Sequence, residues 1–139
     1  MTSGVGLFLL LDLVLLSLAA IHLLWALGWW FPIRDEARLV KAVVGMNGAT
    51  RMPGPIPCAL IAAALVIAAG LPWITPGPIR QTGLVMATGT FAVRGILAYR
   101  PSWRALTSEE PFATLDRRFY GPLCLFLAVA FAALVLKGF

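Results

Sequence analysis

The residues of this chain that can do chemistry are few, and most of them stand alone inside long apolar runs. Arg94 lies in the stretch Thr90-Phe91-Ala92-Val93-Arg94-Gly95-Ile96-Leu97. An arginine surrounded by hydrocarbon costs at least ~2.5 kcal/mol unless it finds a partner or reaches water. Two readings stand. Arg94 is five residues from Tyr99, about 7 to 8 Å of helical rise, so it can snorkel to an interface or enter a structural ion pair. Alternatively, it holds an anionic or carbonyl group of a ligand. Asp116 is the natural partner. It lies about 40° around a helix from Phe112, which puts its carboxylate at the border of an apolar face. The other reading is a solvated charge beside Arg117 and Arg118.

His22 shares a helical face with Leu18, Trp25 and Trp29. A neutral imidazole can both give and take a proton near pH 7, so His22 is a candidate general acid or base, with Asp116 as its counterpart and Arg94 orienting a polar group. The plainer reading is that His22 hydrogen-bonds a neighbouring helix. Trp25, Trp29, Tyr120 and Asp12 are the expected ligand-binding residues. Asp12 sits in an apolar run with no partner nearby in sequence, which leaves it protonated, paired with Thr88 or Thr90, or functional. Cys58 and Cys124 each open an apolar stretch, where a helix N-terminus favours a thiolate, although cysteine also packs as a small hydrophobe. No CxxC pair, metal-ligand spacing, nucleotide loop or nucleophile triad is present, so neither a metal nor another cofactor is expected.

The elements that position these residues follow from composition. The chain has 139 residues, 60% hydrophobic and only 12% charged, about half the charge of a soluble domain. Its apolar residues gather into four blocks, at about 4–31, 57–74, 79–99 and 121–137. Blocks of roughly 18 residues or more can span a hydrocarbon layer about 30 Å thick. The expectation is therefore one all-α domain over 1–139, an integral membrane four-helix bundle. No basic residue precedes the first block, so it reads as a retained span rather than a signal peptide.

Eight of the eleven Lys and Arg residues fall within 34–51 and 100–118, whereas Arg80 and Lys137 mark the opposite side. That bias places both long loops in the cytoplasm and both termini outside an inner (plasma) membrane. The net charge of +5 is then explained by anionic lipid headgroups, with no nucleic acid partner.

Arg34, Arg38 and Lys41 recur opposite Val40, Val43 and Val44, which predicts a short interfacial helix. Thr107 and Glu110 fit a capping box for a second, and Phe112, Leu115 and Phe119 fall on one face of it. The Pro- and Gly-rich stretch 72–78 predicts a tight turn between spans two and three. Gly54-Pro55-Ile56-Pro57-Cys58 and Gly121-Pro122-Leu123-Cys124 open spans two and four alike, which suggests two repeated transmembrane hairpins. In such a repeat His22 and Arg94 would be equivalent and would line one cavity.

Three segments carry a family resemblance. They are His22-Leu23-Leu24-Trp25-Ala26-Leu27-Gly28, Arg94-Gly95, and Phe112-Ala113-Thr114-Leu115-Asp116 continuing to Tyr120-Gly121-Pro122-Leu123-Cys124. Spread over nearly the whole chain, they resemble a family of small four-span bacterial membrane proteins known as a domain of unknown function. The resemblance implies the four-span architecture and singles out the same polar residues, but it implies no activity. Three functions are carried forward. The first is an enzyme acting on a lipophilic small molecule by acid–base chemistry, such as isomerisation, cyclisation or epoxide opening. The second is a non-catalytic module binding membrane lipids or a protein partner. The third is a transporter or channel, which four short spans form only as a homo-oligomer.

Overall fold

The structure is a computed structural model that describes residues 2–138, all of its regular elements helical. The helices are α1 (Thr2–Ala26), α2 (Glu36–Val43), α3 (Pro55–Gly70), α4 (Pro78–Leu97), α5 (Pro101–Leu106), α6 (Phe112–Leu115) and α7 (Gly121–Lys137). A 3-10 turn, Leu71–Trp73, ends α3, and a π turn, Asp116–Tyr120, joins α6 to α7. Helix α1 packs along α3 and α4 along α7, giving two hairpins. Their shared core runs through Leu11, Leu15 and Ala19, then Leu65 and Ala68, Leu84, and Leu127, Phe131 and Leu134. Phe91 stacks on Phe131 within it, ring centres 5.8 Å apart.

The stretches Gly4–Ala26, Pro55–Trp73 and Phe112–Lys137 are long and apolar enough to cross a membrane. Leu13, Ile67, Val129 and Leu136 point outward from them, each well over half exposed. An apolar exterior of this extent suits contact with lipid. Four spans were expected; α4 has the length but is diluted by Arg80, Gln81 and Arg94 and by its glycines and threonines.

The first span also ends earlier than its apolar pattern suggests. Gly28 takes a left-handed conformation at φ 79°. The N–H of Gly28 donates to the Trp25 carbonyl and that of Trp29 to the Leu24 carbonyl, a Schellman cap that closes α1 at Ala26. Trp29 to Phe31 therefore lie beyond the helix.

At this basic end the expected short helix forms as α2, starting at Glu36, so that Arg38 and Lys41 lie on it and Arg34 precedes it. Asp35 caps α2 by accepting the Arg38 N–H at 3.0 Å. Its inner face, Leu39 and Val40, joins Met52, Trp25, Trp30 and Val43 in a second apolar cluster. The Thr107–Glu110 capping box does not form. Thr107 instead bonds back to the Trp103 carbonyl at the end of α5, while the Glu110 carboxylate accepts from the Thr114 N–H and hydroxyl. Phe119 also leaves the face shared by Phe112 and Leu115 and is exposed. The π turn accounts for this, because a widened turn rotates every residue that follows it.

Glycines set the spacing of α4 and α7. A Cβ on Gly95 would come within 2.7 Å of the Leu125 side chain and 3.0 Å of its backbone nitrogen. One on Gly121 would meet Ala98 at 2.8 Å and the Asp116 carbonyl oxygen at 2.9 Å. Gly89, on the same helix as Gly95, has nothing within 4 Å. Gly95→Ala should thus destabilise the protein by about 1–3 kcal/mol through overpacking. Gly89→Ala should stabilise it by up to ~1 kcal/mol through helix propensity. Thermal unfolding of both variants in one detergent checks the opposite signs.

Arg80 was expected only to mark the far side of the membrane. It is instead 2% exposed, and its Nε and Nη2 have no hydrogen-bond partner among the described residues. Such a group is costly to bury. Arg80→Met should raise the unfolding midpoint; a lower midpoint would mean that the guanidinium is bonded to a group outside the described residues.

Candidate functional site

The site is built where α4, α5 and the π turn meet. Pro122 has no N–H for the Arg118 carbonyl, and its ring needs room in the preceding turn. The chain widens there, with the Gly121 N–H reaching back to the Asp116 carbonyl. The widened turn aims the Asp116 side chain into the protein, where the residue is 3% exposed. Because Gly95 and Gly121 let α4 and α7 approach closely, Arg94 lies directly opposite.

The resulting cluster is closed around the carboxylate. Arg94 Nη2 donates to Asp116 Oδ1 at 2.7 Å, and Trp103 Nε1 donates to Oδ2 at 2.9 Å. The guanidinium carbon also lies 5.2 Å from the centre of the Trp103 ring, a cation–π contact. Each of the three side chains therefore contacts the other two. Arg94 Nη1 is left buried and without a hydrogen-bond partner among the described residues. Trp103 was not anticipated; a tryptophan next to Arg104 on a predicted surface segment carries no sign that its N–H is needed inside.

Arg94 borders two openings. One is an open groove of about 510 Å³ along α4, lined by Gly89, Thr90, Val93, Arg94 and Leu97. The other, of about 270 Å³, lies beneath α2 and is lined by Val43, Val44, Met46, Trp103, Leu106 and Phe112, among others. Two loops frame it. Asn47 donates to the Ala105 carbonyl and accepts from the Ser108 N–H, and the Glu109 N–H reaches the Gly45 carbonyl. Gly45, at φ 68°, leaves room for the Phe112 ring against its α-carbon.

The remaining candidates are distributed elsewhere. His22 Nδ1 is 2.7 Å from the Leu18 carbonyl, so it carries the proton and leaves Nε2 as an acceptor in the neutral ring. The ring tilts against Trp25 at 4.8 Å, and His22 lines neither opening next to Arg94. The shared cavity expected for His22 and Arg94 is therefore not among these two openings; Val43 and Val44 border the smaller one and also pack on the cluster that holds Trp25. Trp25 spends its N–H on the Phe31 carbonyl, and Trp29 is 70% exposed past the end of α1. Tyr120 donates to the Ala42 carbonyl at 2.9 Å, tying the π turn to α2.

Asp12 pairs with neither Thr88 nor Thr90, whose hydroxyls bond back along their own helix. It accepts instead from Trp73 Nε1 at 2.9 Å, at the opposite end of the bundle from Arg94. Cys58 and Cys124 are both free, each the fourth residue of its helix.

Removing one member of the buried pair leaves the other uncompensated. Arg94→Met should cost about 3 kcal/mol or more, because Asp116 would keep a buried charge. Adding Asp116→Asn should recover most of that loss, since the amide oxygen still accepts from Trp103. A double-mutant cycle on unfolding midpoints checks for a coupling of at least ~1 kcal/mol.

No curated protein and no solved structure matches this chain. A family model described as "Protein of unknown function (DUF3995)" matches residues 15–131, a stretch that contains His22, the Arg94–Trp103–Asp116 cluster and both loops of the basic end. The chain is a member of the DUF3995 family.

Proposed function

We propose that this chain is a multi-pass membrane protein that binds a lipophilic molecule in the groove beside Arg94, at its cytoplasmic end. In this reading α4 is the fourth span, both basic loops face the cytoplasm and both termini lie outside an inner (plasma) membrane. The observation that carries the reading is the position of Arg94. It is a charged residue in an apolar helix, neutralised by Asp116, and its side chain borders an apolar groove on the outward face of α4. Intramembrane ionisable groups held in this way mark functional sites by default.

Binding suits the geometry better than acid–base catalysis by Asp116. Both carboxylate oxygens are engaged and the residue is 3% exposed, so no substrate proton has a path to it. His22 keeps a free Nε2 but stands apart from the groove.

Gly89 lines the groove, and a Cβ added there has nothing within 4 Å, so a larger side chain at this position has room to extend into it. Small molecules extracted from purified wild type and from Gly89→Leu should be compared by mass spectrometry. A lipophilic compound enriched on wild type, and at least tenfold depleted from a Gly89→Leu protein of undiminished stability, is the expected result. Identical bulk phospholipid on both proteins would overturn the reading.

A further inference from the structure

We infer that the Arg94 groove selects a neutral lipophile bearing a carbonyl or ester oxygen, in preference to an anionic amphiphile. The inference rests on the groove reading above and adds the chemical class of the head group. An arginine in a membrane ordinarily suggests an anion, such as a carboxylate or a phosphate. Here that charge is already spent. Arg94 and Asp116 form a contact pair at 2.7 Å, and the two together carry no net charge. A second anion beside them would leave the cluster with a net negative charge where apolar side chains offer little screening, which is strongly unfavourable.

What the cluster has in excess is donors. A guanidinium presents five N–H groups, and Nη1 has no hydrogen-bond partner among the described residues. The carboxylate, by contrast, has both oxygens engaged. A neutral acceptor oxygen satisfies a spare donor without adding charge, whereas a ligand hydroxyl seeking an acceptor would have to reach a carboxylate that is 3% exposed.

The surroundings fit the same class. The groove runs from Gly89 to Leu97, about 12 Å of helix, and Gly89, Val93 and Leu97 offer a hydrocarbon chain nothing to bond. Thr90 adds no donor to the groove, because its hydroxyl is committed to the Met86 carbonyl at 2.8 Å. The Arg94 side chain is 31% exposed, but Nη1 itself is covered. A ligand oxygen therefore reaches it through a small shift of the guanidinium or of Trp103. Trp103 rides on α5, a six-residue helix with no buried residue, so its indole is held chiefly by the bond to Asp116 and the contact with Arg94.

Three probes of matched chain length separate the possibilities: methyl palmitate, hexadecanesulfonate and hexadecane, each radiolabelled and equilibrated with the full-length protein in detergent. On wild type the ester should bind at least tenfold more tightly than the alkane, with the permanently charged sulfonate no tighter than the alkane. That advantage should disappear in the double variant Arg94→Met with Asp116→Asn, which removes the donor without leaving a charge. Gly89→Leu should weaken the ester at least tenfold. Tightest binding by the sulfonate, or equal binding of all three, with sensitivity to Gly89→Leu retained, would overturn the neutral-acceptor inference and leave the groove in place. Binding of every probe indifferent to Gly89→Leu would remove the groove itself.

Discussion

A carboxylate that is 3% exposed at the end of an apolar bundle must be neutralised and hydrogen-bonded, or the chain cannot keep it there. Much of the basic end is arranged so that Asp116 meets both conditions. Arg94 brings the charge from α4, Trp103 brings a second donor from α5, and the π turn holds the carboxylate between them. The pair also resolves the problem of Arg94, which would otherwise be an unneutralised cation in the last turn of an apolar helix. Each charge is tolerable because of the other, and both depend on α4 and α7 standing close enough to touch. Gly95 and Gly121 permit that approach. Gly121-Pro122 allows the widened turn that rotates Asp116 relative to α7.

The two hairpins share a plan but not this device. Both α3 and α7 begin with a Gly-Pro or Pro-rich start and carry cysteine as their fourth residue. In the first hairpin, however, the polar residue near the basic end is His22, which bonds to its own helix and needs no acidic partner. The corresponding loop instead forms α2, whose apolar face covers Trp25 and Trp30. Hydrogen bonds between Asn47 and Gly45 on one loop and residues 105–109 on the other then tie the loops of the two hairpins together. Tyr120 adds a bond from the π turn to the Ala42 carbonyl. The opening beneath α2 is thus framed by both halves, whereas the groove along α4 belongs to the second alone.

The far end is organised around tryptophan and a different arginine. Trp73 donates to Asp12 and packs edge-on against Phe8 at 5.3 Å, so the turn after α3 is fastened to the first helix. Leu71 fills the space that Gly83 leaves open on α4. Arg80 sits on the same face of α4 as Leu84, yet unlike Arg94 it has no acidic partner among the described residues. The same residue type on one helix is therefore neutralised at one end, while at the other its Nε and Nη2 find no hydrogen-bond partner among the described residues.

Composition and block length alone determined that the chain is helical and apolar enough for a membrane, because desolvation of backbone groups leaves few other structures for such runs. The helical period placed α2, and the cost of charge in hydrocarbon singled out Arg94 and pointed to Asp116 as its partner. The apolar pattern carried the first span on to residue 31, and only the observed left-handed turn at Gly28 shows that Trp29 falls outside α1. Tertiary structure decided the rest. Trp103 joined the site, Asp12 found Trp73, and Arg80 was buried, because each outcome depends on which helices pack together and how closely. A sequence records a residue's type and its neighbours along the chain, and these three contacts or burials arise between elements distant along it. The π turn belongs to the same class: Gly121-Pro122 allows it, but the close approach of α4 is what makes the resulting direction of Asp116 a site.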